Sequence, residues 1–178
     1  MLLEVCLAQK LILYLGYPAL TLSVILFSLL VGSGLGSLFS QRWPRPQMLR
    51  TAAVAALLVS LGTVALIVLL PPLLSATLVW PITRRCLMVM ALLVPLGFGM
   101  GIPFPTGLRE VRTWPGSIVP WAWGVNGVAS VLGSMLAMLL GKLFGFQTVL
   151  LGGAAVYALV FAVASAAWSR AHRMPSAD

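Results

Sequence analysis

Thr51-Ala52-Ala53-Val54-Ala55-Ala56-Leu57-Leu58-Val59-Ser60-Leu61-Gly62-Thr63-Val64-Ala65-Leu66-Ile67-Val68-Leu69-Leu70 contains no Asp, Glu, Lys or Arg. Twenty such residues wound as a helix, at roughly 1.5 Å rise each, cover about 30 Å, the hydrocarbon thickness of a bilayer. Pro71-Pro72 follows directly, and two prolines are expected to end the helix there. Leu73 to Trp80 is then too short to cross and reads as an interfacial helix, with Trp80 at headgroup depth.

The same pattern extends in both directions. Leu11 to Gln41, Thr51 to Thr83, Cys86 to Leu108, Thr113 to Gly141 and Leu143 to Ser169 are free of charged side chains. Over the 178 residues, 61% are hydrophobic and 8% charged, and the mean hydropathy is +1.07. A soluble domain carries roughly a quarter charged residues, so this chain could not cover a water-facing surface. The reading is an all-α, polytopic transmembrane helix bundle of about six spans.

Those spans fall at about 1–15, 19–39, 51–70, 86–105, 118–140 and 148–168, within a single transmembrane domain covering 1–168. A polar tail at 169–178 follows. The first segment carries Glu4, Gln9 and Lys10 and is short, about 22 Å at helical rise. Gly16-Tyr17-Pro18 closes it, because the residue before proline is driven out of the α region. The fourth span holds Pro95, Pro103 and Pro105 among Gly97, Gly99 and Gly101, and is expected to be kinked or broken towards its C-terminal end. Trp114, Trp121 and Trp123 crowd the entry to the fifth, as an aromatic belt would, and Lys142 to Gln147 reads as a tight turn before the sixth.

The net charge of +8 would point to nucleic acid in a soluble protein. Here the cations flank the apolar windows and orient helices instead, so no nucleic-acid partner is expected. With six crossings, Arg42, Arg45, Arg50, Arg109, Arg112, Arg170 and Arg173 share one side, against Arg84, Arg85 and Lys142 on the other. The positive-inside rule then places both termini in the cytoplasm. Cys6 and Cys86 have no ligand-like spacing, and Met1-Leu2-Leu3-Glu4 lacks the basic start of a secretory signal.

Small residues recur every four positions, which sets them on one helix face. Ser28, Gly32, Gly36 and Ser40 do so in the second span and Gly97 and Gly101 in the fourth. Gly133, Ala137 and Gly141 follow in the fifth, and Ala154, Ala158, Ala162 and Ala166 in the sixth. In lipid, helices associate through such close backbone approach, either within the chain or against a partner helix.

Asn126, Ser130 and Ser134 form a polar stripe on the fifth span. An amide in hydrocarbon must find partners, so the stripe serves either interhelical hydrogen bonding or a substrate or ion path. Glu4 is the one acid inside an apolar stretch, either a functional intramembrane carboxylate or an interfacial one. Gly32-Ser33-Gly34-Leu35-Gly36 and Gly97-Phe98-Gly99-Met100-Gly101 sit inside spans rather than after strands, which argues against nucleotide binding. With one histidine, His172, and acids only at Glu4, Glu110 and Asp178, neither a catalytic nor a metal or cofactor site is expected.

Tyr14-Leu15-Gly16-Tyr17-Pro18, Gly34-Leu35-Gly36-Ser37, Gly101-Ile102-Pro103-Phe104-Pro105-Thr106-Gly107 and Trp121-Ala122-Trp123-Gly124-Val125-Asn126-Gly127 together resemble the C-terminal membrane region of multispan spermidine synthase-like proteins. In that bacterial family an aminopropyltransferase-like domain is joined to segments similar to a major-facilitator transporter. The resemblance implies a bacterial cytoplasmic membrane and no catalysis in this stretch, since the transfer chemistry belongs to the soluble domain. It implies no catalytic residue here.

Two functions are compatible with these observations. The first is a non-catalytic integral membrane module, embedded in the lipid bilayer, that anchors or assembles with other membrane-protein subunits or an aminopropyltransferase-like protein. The second is half of a small-molecule transporter of the major-facilitator type, built on the broken fourth span and the Asn126 stripe.

Overall fold

A computed structural model describes residues 1–112 and 118–171, with only the backbone of residues 45, 46 and 171. Trp114, His172, Arg173, Asp178 and most of the expected tail lie outside the described residues. Among the described residues the chain forms seven helices: α1 (Leu2–Leu15), α2 (Pro18–Ser40), α3 (Arg45–Ala76), α4 (Ile82–Met100), α5 (Pro103–Val111), α6 (Ile118–Phe144) and α7 (Phe146–Ala171). Five segments are long and apolar enough to cross a membrane: α2, α3, α4 with α5, α6 and α7.

Their outer faces carry what a bilayer dissolves. Leu30 is 67% exposed, Trp121 77% and Val163 61%. Water would not tolerate a surface in which large apolar side chains dominate every long helix.

The tightest contact joins α2 to α4. One stripe of α2, Thr21, Ile25, Ser28, Leu29, Gly32, Gly36 and Ser40, is buried. A Cβ built on Gly97 would stand 2.9 Å from the Leu29 carbonyl oxygen, and one on Gly32 2.9 Å from the Phe98 nitrogen. On Gly36 it would run into the Phe98 carbonyl, and on Gly101 into Ser33. The two backbones therefore touch, and glycine is required for space rather than for an unusual φ.

A second pair, α3 and α7, packs side by side, and Ala52 and Ala56, on the same face of α3 as Ser60, are buried. Ser60 donates its hydroxyl to the Ala154 carbonyl at 2.9 Å within this contact. Of the alanine ladder in α7 only Ala154 is buried, and Ala158, Ala162 and Ala166 face outward. The rest of the inner side uses bulkier residues such as Tyr157, Phe161 and Trp168, which are half-buried. Gly99 connects the two pairs, since a Cβ there would lie 2.6 Å from Val59 Cγ2.

Between the pairs stands α1, the shortest of the core helices and the most enclosed. Leu3, Cys6, Leu7, Leu11, Tyr14 and Leu15 are all buried. Its end is fastened at the lower edge of the bundle, where Gly16 turns with φ 79°. There the Tyr14 hydroxyl is 2.7 Å from Thr77 Oγ1, and Arg85 donates to the Tyr14 carbonyl at 3.1 Å while standing over its ring. At the upper edge Arg109 donates to the Ser40 carbonyl at 3.0 Å, tying α5 to α2.

Several boundaries differ from the sequence reading. Pro71 and Pro72 do not end the third span, because α3 continues through them to Ala76. They remove the hydrogen bonds to the Ile67 and Val68 carbonyls only, and in lipid a broken helix would expose many more groups. Leu73 to Ala76 is thus the last turn of α3, not an interfacial helix.

Pro95 likewise lies inside an unbroken α4, where it costs one hydrogen bond. The break falls at Gly101 and Ile102. Pro103 lacks the N–H that would reach the Gly99 carbonyl, and Ile102 donates to that carbonyl at 3.4 Å instead. Pro105 falls in the first turn of α5 rather than breaking anything. The turn between α6 and α7 is Gly145 alone, at φ 85°, so Lys142 stays helical. Ser169 and Arg170 extend α7 rather than opening a tail.

Gly36→Ala is expected to destabilise the bundle by about 1–3 kcal/mol through overpacking. Gly34→Ala, with open space around its Cβ, is expected to be neutral. Thermal unfolding of both variants in one detergent compares them directly.

Candidate functional site

The first residues of α1 do not reach the upper edge. Met1 Cβ lies 3.7 Å from a Cβ built on Gly133, and Leu3 Cδ2 lies 2.5 Å from one built on Gly153. Gly133 is eleven residues from the lower end of α6, about 16 Å along the axis at helical rise. A cavity of about 580 Å³ lies above that depth, between α5, α6 and α7.

The cavity floor is Met1, Leu2 and Leu3. One wall is the broken fourth span, through Met100, Pro103, Phe104 and Gly107; another is α6, through Ala122, Asn126, Ala129, Ser130 and Gly133. The third is α7, through Gly153, Val156, Tyr157 and Val160. The break at Gly101 and Ile102 aims α5 across the mouth, and Phe104 meets Trp123 edge-on with ring centroids 5.1 Å apart.

Of the polar stripe, Asn126 and Ser130 line this cavity and Ser134 does not. The two serines are satisfied along the helix: Ser130 donates to the Asn126 carbonyl at 2.8 Å and Ser134 to the Ser130 carbonyl at 3.0 Å. Such back-bonding lets a hydroxyl sit in apolar surroundings. The Asn126 side-chain amide has no hydrogen-bond partner among the described residues, and its residue is exposed.

Glu4 stands one turn below the floor, its carboxylate 3.5 Å from the Met1 amino group. It is not part of the cavity lining. Tyr157 was not singled out by the sequence, yet it lines the cavity with a hydroxyl that has no hydrogen bond among the described residues. A single tyrosine within an alanine-rich span was the available signal.

The glycines expected to pack helices divide in two. Gly32, Gly36, Gly97 and Gly101 make the α2/α4 contact, and Gly141 accommodates the Phe146 ring at the α6/α7 turn. Gly133 is different: its one near neighbour is Met1 at ordinary contact distance, and it forms part of the cavity wall.

Around it α6 is barely covered. Only 11% of its most apolar window is buried, against 28–39% in the other four spans. No group of three or more His, Cys, Asp or Glu side chains suited to a metal ion occurs among the described residues.

The fold and its surface define a multi-pass α-helical membrane protein. No family model, curated protein or solved structure matches the chain.

Because its amide bonds to nothing among the described residues, Asn126→Ala is expected to leave the detergent melting temperature unchanged or raise it. Ser60→Ala breaks a buried interhelical bond and is expected to cost about 0.6–1.5 kcal/mol, read from the same melting curves.

Proposed function

We propose that this chain is a non-catalytic membrane module that assembles with a partner protein, and that a transmembrane helix of the partner seats in the cleft between α5, α6 and α7. The observation that carries the reading is the Asn126 amide, left without a hydrogen-bond partner among the described residues on a helix otherwise made for lipid. An unsatisfied amide in hydrocarbon is costly, and an interhelical bond relieves it.

The cleft walls suit a helix. Gly107, Ala122, Ala129, Gly133 and Gly153 line it, and small side chains allow the close backbone approach that holds helices together in lipid. The matching helix would carry its own small-residue face with one Ser, Thr, Asn or Gln opposite Asn126. The resemblance to multispan spermidine synthase-like proteins makes an aminopropyltransferase-like protein the first partner to examine.

The charge pattern supports a cytoplasmic upper edge in a bacterial inner membrane. Arg42, Arg45, Arg50, Arg109, Arg112 and Arg170 gather there. Of the opposing cations, Arg85 is used to fasten α1.

A photo-cross-linking amino acid placed at Asn126 is expected to capture one discrete membrane protein in native membranes. The same probe at Leu26, on the exposed face of α2, is expected to capture only lipid. Filling the cleft with Gly107→Leu and Gly133→Leu should abolish the protein adduct. Lipid adducts alone at Asn126, or an adduct that survives the filled cleft, would sink the proposal.

A second reading, half of a small-molecule transporter, is favoured by the cavity volume. About 580 Å³ lies within the roughly 300–1,000 Å³ of small-molecule sites, and the cavity adjoins a discontinuous helix as midplane substrate sites do. Liposome uptake that falls in Asn126→Ala and Glu4→Gln supports it; uptake indifferent to both removes it.

A further inference from the structure

Separate from the cleft, a groove of about 840 Å³ runs between α3 and α4. Its walls are almost wholly apolar, among them Leu58, Val59, Gly62, Leu66, Pro95 and Leu96. It continues upward into a second cavity of about 500 Å³, because Ala55, Leu58, Phe98 and Ile102 line both. The chemistry changes at that junction. The upper cavity adds Trp43, Gln47, Arg50 and Thr51, the side chains of the cationic edge where headgroups lie.

We propose that this continuous groove binds one anionic phospholipid, with its phosphate at Arg50 and one acyl chain lying between α3 and α4. Arg50 is exposed, sits 6.0 Å over the Trp168 ring and has no carboxylate partner among the described residues. A guanidinium so placed offers the fork that phosphate oxygens accept.

The Trp43 indole N–H is buried without a hydrogen-bond acceptor, alone in this among the described buried side-chain atoms. A small turn of that ring towards the cavity it lines gives it a headgroup oxygen. Below, Gly62, Ala65 and Gly99 keep the groove open where larger residues would close it. A charged mouth at headgroup depth over an apolar trough is the outline of a lipid. A partner helix would place apolar residues against Arg50 and leave the indole N–H unanswered.

The test is native mass spectrometry of the whole chain in detergent after titration with phosphatidylglycerol or phosphatidylcholine. Wild type is expected to retain phosphatidylglycerol about fivefold more tightly, the effect of one arginine beside an anionic lipid. Arg50→Gln, a change at an exposed side chain, is expected to erase that preference while keeping weak retention of both. Gly62→Leu, whose Cβ meets only the Leu96 side chain at 3.7 Å, is expected to reduce retention of both lipids by filling the trough. Equal retention of the two lipids by wild type, an unchanged preference in Arg50→Gln, or full retention in Gly62→Leu overturns the proposal. Melting curves of the variants show that they remain folded. None of these outcomes bears on the cleft.

Discussion

The bundle depends on backbone touching backbone along α2 and α4. In lipid the solvent is as apolar as the side chains, so burying leucine against leucine gains little, and association rests on how closely main chains approach. Gly32, Gly36, Gly97 and Gly101 provide that approach by presenting no side chain to the facing helix. With this pair fixed, Gly99 brings Val59 of α3 into register, and α3 carries α7 through Ser60 and Ala154. α1 then fills the lower half of the space that remains. The order of dependence runs outward from glycine.

Much of this was legible in the sequence because hydrocarbon imposes simple rules. The charge-free windows marked every long helix, and the four-residue ladders in α2 and α4 fell on the faces that meet. Where the reading departed, proline was the common cause. Pro71, Pro72 and Pro95 break helices in water, where freed carbonyls hydrate, but within a bilayer the helix persists through them. Among the prolines expected to end the third span or break the fourth, Pro103, beside the glycines of the α2 contact, is the one that stands where a helix is interrupted.

The alanine ladder of α7 shows the opposite error. Small residues mark a packed face only where a partner comes close, and beyond Ala154 the ladder lies off the face that α7 turns to α3, so identical spacing leaves Ala158 and Ala162 exposed. The role of α1 was hidden for a related reason. Its polar residues Glu4, Gln9 and Lys10 and its short length marked only a short span, yet its leucine face is the core of the lower half. The cavity above it could not be read from any one segment, since its walls come from several helices far apart in the chain. Asn126 and Ser130 pointed to it; Tyr157 and Phe104 became visible only once the walls met.

The single-residue link at Gly145 has a mechanical side. Phe146 wedged against Gly141 clamps the base of α6 to α7, and the fully buried Ala137, together with Gly133 beside Met1, holds the next turns to the interior. The lower half of α6 is thus stepped into the bundle like a mast. Its tryptophan-bearing upper half carries few stays besides the Phe104 ring against Trp123, and most of its flank is left to whatever fills the space beside it.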